Sequence, residues 1–263
     1  YTSFKTKPYI GQLSEWKGST NLKDIFAELK VALTNKSFVI LFFGNLTLSL
    51  AWGLSNSLAL YVNTYFWELK AMQIGLLLPI YFVSTMLAFY LTPRLVQFFD
   101  KRTIVMVAIL GVALITPVAF ILFNLGLTPA KGSLSLVFFL ASFMVFLVMF
   151  AVIGNMTRDS MVGDIADEVE LQSSARQEGI LYSAVSFMQK FNAGIGAFFA
   201  GLVLNFIEFP EAGSGAPTSE QVYTLAFVQG PIGAILLLIP FFIFYRYDLT
   251  KERHNEIIKS LED

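Results

Sequence analysis

"LSLVFFLASFMVFLVMFAVIGN", Leu134 to Asn155, carries no ionisable side chain. An α-helix crosses the ~30 Å hydrocarbon core of a bilayer with ~20 consecutive, mostly apolar residues. This run is long enough. It does not alternate with period two, as a membrane strand would. Working outward from it, five further segments meet the same length: Ser37–Trp67, Met72–Leu91, Thr103–Leu125, Ile180–Phe206 and Val222–Tyr245. The first is long enough to tilt or to project beyond the bilayer. The expected fold class is all-α integral membrane protein with six transmembrane helices.

Composition agrees. Of the 263 residues 56% are hydrophobic and 14% charged, with 27 Phe. A soluble domain carries about 25% charged residues. The absence of cysteine excludes a disulfide framework, thiolate catalysis and a Cys-ligated metal. The single histidine, His254, lies in the polar tail, so no His-clustered metal site is expected. No nucleophile–base pair can be assembled, and neither an enzyme nor a nucleic-acid partner is expected. The region before the first segment is polar and Lys-rich, without signal-peptide character. The chain does not begin with Met, which reads as a fragment of a longer product.

The positive-inside rule sets the expected orientation. The N-terminal region, the second-to-third connection (Arg94, Lys101, Arg102), the fourth-to-fifth (Arg158, Arg176) and the tail (Arg246, Lys251, Arg253, Lys259) hold all Lys and Arg except Lys70, Lys131 and Lys190. Both termini are therefore expected to be cytoplasmic, in a plasma (inner) membrane. The organisation reads as 1–36 cytoplasmic connection, 37–246 six-helix bundle and 247–263 cytoplasmic tail. "NLKDIFAELKVAL" places Leu22, Ile25, Phe26, Leu29 and Leu33 on one helical face, expected to lie on the membrane surface. The tail repeats the pattern more weakly through Ile257, Ile258 and Leu261.

Lys190 is the one formal charge inside the fifth segment. A central Lys costs about 2.5–3.5 kcal/mol on insertion scales. It lies about ten residues, or ~15 Å at helical rise, from the segment's cytoplasmic end, too far for snorkelling alone. Ser183, Ser186, Gly194, Ala197 and Gly201 share its helical face and are all small; Val185, Met188, Ile195 and Phe199 lie opposite. A small-residue face packs against a helix or lines a cavity, so Lys190 is expected to point to the bundle side. No carboxylate lies within the other five segments. Its partner is expected from another chain or from a part of the protein outside this one.

On the first segment Asn45, Ser49, Trp52, Asn56 and Asn63 recur on one face. Amides beside an aromatic ring suit a polyhydroxylated ligand, and they equally suit interhelical hydrogen bonding. Tyr81, Ser84 and Thr85 on the second segment extend the candidate surface. The connection "RDSMVGDIADEVELQSSARQEG" places Asp164, Asp167 and Glu170 three apart on one side of a helical turn, followed by Arg176 and Glu178. No His or nucleophile converges on these acids. They are expected to form a gate by pairing with bases on an opposing domain.

The pattern Asp164-x-x-Asp167-x-x-Glu170, then Arg176, Glu178 and Lys190, resembles the glycoside–pentoside–hexuronide:cation symporters of the major facilitator superfamily. "TPRLVQFFDKRT" is similar to a degenerate superfamily loop with Asp100, Lys101 and Arg102, and "YRYDLTKERHNEI" to the family's close. The resemblance covers the whole chain and implies the C-terminal six-helix half of a twelve-helix transporter. It implies a cation-coupling role for Lys190, beside carboxylates of an N-terminal half that bind Na⁺ or H⁺. It implies symport of a sugar, glycoside or similar small polar solute by alternating access, with no cofactor beyond the coupling ion. Glu168 stands where the family often has an aromatic residue, and no aromatic of the melibiose site is matched on the fourth segment, which weighs against a galactoside. Two other expectations remain beside this one: a lysolipid transporter or flippase of the same fold, and a non-transporting sensor or assembly subunit.

Overall fold

A computed structural model describes residues 34–173, 178–211 and 215–262, without the side chains of 173, 178–180, 187–193 and 262. The expected surface helix before Leu33, and Arg176, lie outside the described residues. The chain forms helices α1 (Lys36–Phe66), α2 (Ala71–Phe98), α3 (Lys101–Asn124), α4 (Leu134–Ser173), α5 (Glu178–Phe206), α6 (Ser219–Phe244) and α7 (Lys251–Glu262). Helices α1 to α4 and α6 contain stretches long and apolar enough to cross a membrane. At ~1.5 Å per residue, the 29 residues of α5 reach ~43 Å. The protein is an integral membrane protein, with six long helices among the described residues.

Local sequence explains where these helices start and bend. Asn35 caps α1: its side chain accepts the Phe38 N–H at 2.8 Å. Thr218 and Gln221 form a reciprocal capping box at the start of α6. Prolines interrupt three spans. A proline lacks the N–H for the i−4 carbonyl and its ring crowds that carbonyl. Accordingly α2 loosens at Leu76–Leu77 before Pro79, α3 at Thr116–Pro117, and α6 widens to a π turn around Pro231 and loosens again at Leu237 before Pro240.

Packing places α4 between α2 and α3, and α1 between α5 and α6, with α6 joining the two sets through α3. Helix α2 shows how lipid solvates this fold. It buries Ser84, Ala88 and Thr92, at spacing four, on the side that meets α4. It exposes Phe82, Met86 and Phe89 outward. The buried hydroxyls donate to their own helix, Ser84 to Ile80 O at 2.7 Å and Thr92 to Ala88 O at 2.8 Å. Small residues inside and large apolar ones outside is the pattern of a helix bundle in hydrocarbon.

Helices α1 and α5 approach until their backbones touch. A Cβ added at Gly196 would lie 2.6 Å from the Cα and carbonyl carbon of Gly53. Only glycine permits that crossing. Helix α5 therefore turns Leu181, Val185, Gly196 and Ala200 inward. Ser183, Ser186, Gly194, Ala197 and Gly201 lie exposed instead. The small-residue stripe thus lines an open face of the six-helix unit rather than a contact within it. By helical register Lys190 falls on that stripe; its side chain lies outside the described ones.

Candidate functional site

Helix α4 carries two polar centres along its length. It does not end at Asn155, where its hydrophobic run ends, but continues to Ser173. This continuation corrects the placement of Arg158 in a connecting stretch: it is a helical residue, 9% exposed, inside the bundle. Its guanidinium donates to Asn155 Oδ1, one turn back. Gly154 makes the room. A Cβ there would stand 3.1 Å from Arg158 Nη1 and 3.2 Å from Ala108 Cβ.

Arg158 and Asn155 line a cavity of about 80 Å³ with Ser49 and Trp52 of α1. Apolar walls come from Ile109 and Val112 of α3, Phe150 of α4 and Leu237 of α6. The structure thus brings together the middle of the expected α1 stripe and two residues of α4 that sequence reading did not single out. Asn45 and Asn56 of the stripe are not among the lining residues, and Asn56 is exposed. A stripe that long climbs ~27 Å along its helix, so one cavity meets only part of it. Tyr81 is 41% exposed on α2 and also lies outside the cavity.

The second centre lies two turns further along α4, at the end of the bundle that holds Lys36 and the tail. Lys101, opening α3, bonds both oxygens of Asp164 at 2.7 and 2.8 Å. His254 of α7 sits 3.0 Å from Asp167 and 3.7 Å from Asp164. Glu168, buried at 3% exposure, receives Arg253 at 2.6 Å and the Asn35 amide at 3.1 Å. Asp248 pairs with Lys36 at 2.7 Å and lies 3.6 Å from Arg253. The Lys36 hydrogen bond is the main cause holding the Asp248 carboxyl below its usual range. Burial first, then the charges of Asp164, Glu168 and Asp248, pushes the Tyr247 phenol above its usual value. Asp100 accepts the Lys251 N–H at 3.1 Å and so joins the α2–α3 connection to the tail.

In this network Asp164 and Asp167 have basic partners from α3 and α7 of the same chain. Glu170 is half-buried on the same segment, and Glu178 opens α5 with its side chain outside those described. By sequence, Glu168 is a departure from the family pattern and the tail is only a weak amphipathic helix. In the structure Ile257 is buried and α7 docks on α4. The available signal was an acid pair, Asp164 and Glu168, at spacing four, facing an Arg–His pair on the same side of the membrane.

Residues 2–251 match the family model described as MFS/sugar transport protein. A protein from Synechocystis named as an uncharacterised symporter is 25% identical over 256 residues, 93% of this chain and 44% of that protein. The sodium-dependent lysophosphatidylcholine symporter 1 of Gallus gallus is 32% identical over 107 residues, 40% of this chain and 20% of that protein. An uncharacterised symporter of Bacillus subtilis is 30% identical over 103 residues, 39% of this chain and 22% of that protein. The chain spans under half the length of these relatives.

Proposed function

The chain belongs to the MFS/sugar transport protein family, and on that premise we propose that it is one six-helix half of a cation-coupled major-facilitator symporter. With a second six-helix half it moves a small polar solute, a sugar or glycoside, by alternating access driven by a Na⁺ or H⁺ gradient. Both described ends face the cytoplasm from a plasma (inner) membrane. One observation carries the reading: Ser49, Trp52, Asn155 and Arg158 gather around a cavity within an otherwise apolar bundle. Polar groups at membrane depth mark solute and ion paths more often than structure. The open small-residue stripe of α5 is where the second half approaches, and Lys190 on that stripe acts on the coupling cation. The network around Asp164, Asp167 and Glu168 holds the inner end.

The test is solute-driven current from the full native gene product in proteoliposomes, with Na⁺ or H⁺ as the only driving ion. A sugar-dependent, cation-dependent current is expected. Lys190→Gln should change the cation dependence more than the amount of folded protein; unaltered coupling would remove Lys190 from the mechanism. Silence across sugars and glycosides in well-folded protein defeats the sugar reading. The local similarity to a lysophosphatidylcholine symporter supports a second reading, a lysolipid cargo. Lysolipid movement in the same vesicles, without sugar current, would select it.

A further inference from the structure

We infer that the cavity at Arg158 is an oxyanion subsite, taking the carboxylate or phosphate end of a cargo whose remainder leaves past Asn155. The inference rests on the transporter reading above and specifies its cargo as anionic. Arg158 is nine-tenths buried in a membrane helix. A guanidinium has five N–H donors. Asn155 Oδ1 accepts from it, and no carboxylate of the described residues lies within 4.0 Å of it. Its neighbour in sequence, Asp159, is exposed and acts on the guanidinium through charge alone, beyond ion-pair distance. A buried cation without a carboxylate in direct contact is costly unless a counter-charge arrives. Among the described residues Glu168, the other buried ionic group, has its ion-pair partner in direct contact; Arg158 lines a cavity instead.

The space has the right scale and shape. A water needs on the order of 10–15 Å³ of such volume, so about 80 Å³ admits a carboxylate or phosphate with a few waters but not a whole sugar or lipid. Gly154, with no Cβ, leaves room beside Arg158 Nη1, where a Cβ would stand at 3.1 Å. A planar fork matches a carboxylate or phosphate through two parallel hydrogen bonds. Ser49 adds a hydroxyl, and Trp52 a ring with one N–H. Asn155 is exposed, so the cavity opens beside it, and the uncharged part of the cargo extends there. Low surrounding dielectric strengthens the pairing.

The experiment uses the full native gene product in nanodiscs and follows thermal stabilisation by paired probes. Glucuronate is compared with glucose, and lysophosphatidate with monooleoylglycerol; the first pair reports a soluble oxyanion, the second a lipid headgroup. One charged probe should stabilise the protein, with its neutral partner at least tenfold weaker. Arg158→Gln should abolish the difference. Asn155→Asp supplies a carboxylate from within, so it should raise the melting temperature of the unliganded protein and weaken the charged probe at least tenfold. This second variant keeps the test decisive if Arg158→Gln folds poorly. Equal action of charged and neutral probes, no stabilisation by either oxyanion, or full binding by Asn155→Asp would overturn the inference. Current carried by a neutral solute and indifferent to Asn155→Asp would leave the transporter standing without the subsite. Oxyanion binding with no flux of any solute would leave the subsite standing without the transporter.

Discussion

Tyr247 carries the least well-accommodated oxygen at the tail end of the bundle. The residue is 1% exposed, and its hydroxyl has no hydrogen-bond partner among the described residues. Removing an unsatisfied buried oxygen while keeping the ring is neutral or stabilising, by about 1 kcal/mol. Tyr247→Phe should therefore melt at or above the wild-type temperature; a clear drop would reveal a partner for the hydroxyl. The phenol also sets an alkaline limit. Its folded value is raised, so its contribution is complete below the unfolded value near ~10 and is lost as pH rises through the folded one. Wild type should lose stability above that point more steeply than Tyr247→Phe. Asp248 has the opposite sign. Its carboxyl is depressed, so its contribution is present above an unfolded value of ~3.9 and is lost as pH falls; Lys36→Met should flatten that acid limb. Glu168 is a third case. Arg253→Ala strands a buried carboxylate on Asn35 alone, for a cost of about 1–3 kcal/mol. Repeating it in Glu168→Gln should recover much of that cost, and a double-mutant cycle without coupling would remove the pair from the account.

Helix α5 contains a matched comparison between two glycines. At Gly196 an added methyl meets the main chain of Gly53 at 2.6 Å, and backbone cannot swing aside. At Gly201 it meets nothing within 4 Å. Gly196→Ala should cost about 1–3 kcal/mol by forcing α1 and α5 apart. Gly201→Ala should be neutral or stabilising by up to about 1 kcal/mol, since Ala is the better helix former. Equal melting temperatures for the two variants would contradict the crossing. Elements also show what sequence can and cannot reveal. The six apolar runs predicted the helices because the ~30 Å of hydrocarbon demands a run of that length. Hydropathy marks where lipid ends, however, not where a helix ends. Helix α4 outlasts its apolar run through Arg158, Asp164 and Glu168, each held by a neighbouring helix or by the helix itself. The half of the cavity on α1, Ser49 and Trp52, was legible from period alone. The half on α4 was not, because Arg158 reads as a boundary charge until its burial is known. The tail network joins residues far apart in the chain, Asn35 to Glu168 to Arg253; spacing names the acid pair and the Arg–His pair but not which members meet.

The whole molecule shows two different outer surfaces. On α2 the exposed residues are large and apolar: Phe82, Met86 and Phe89. On α5 one stripe is small, Ser183, Ser186, Gly194, Ala197 and Gly201, and it is flanked by exposed large residues such as Tyr182, Phe198 and Leu202. Lipid accepts the first kind. Small residues instead let another backbone come close, as Gly196 already does toward Gly53. The bundle thus has a face suited to hydrocarbon on α2 and, on α5, a narrow stripe suited to a neighbouring helix, which is where the proposed second half would seat. That difference separates folding from transport. A larger side chain at Ala197 or Gly201 enters open space in this unit, so Ala197→Leu and Gly201→Leu should change its melting temperature little, within the ±0.5 kcal/mol usual for exposed sites. On the proposed function, the same changes in the full native gene product should reduce solute flux at least tenfold, by holding the proposed second half away or by filling the path beside it. Phe82→Leu, on the opposite kind of surface, should do neither. Full flux in Ala197→Leu and Gly201→Leu would assign the stripe to lipid, and the second half would then have to approach through another face.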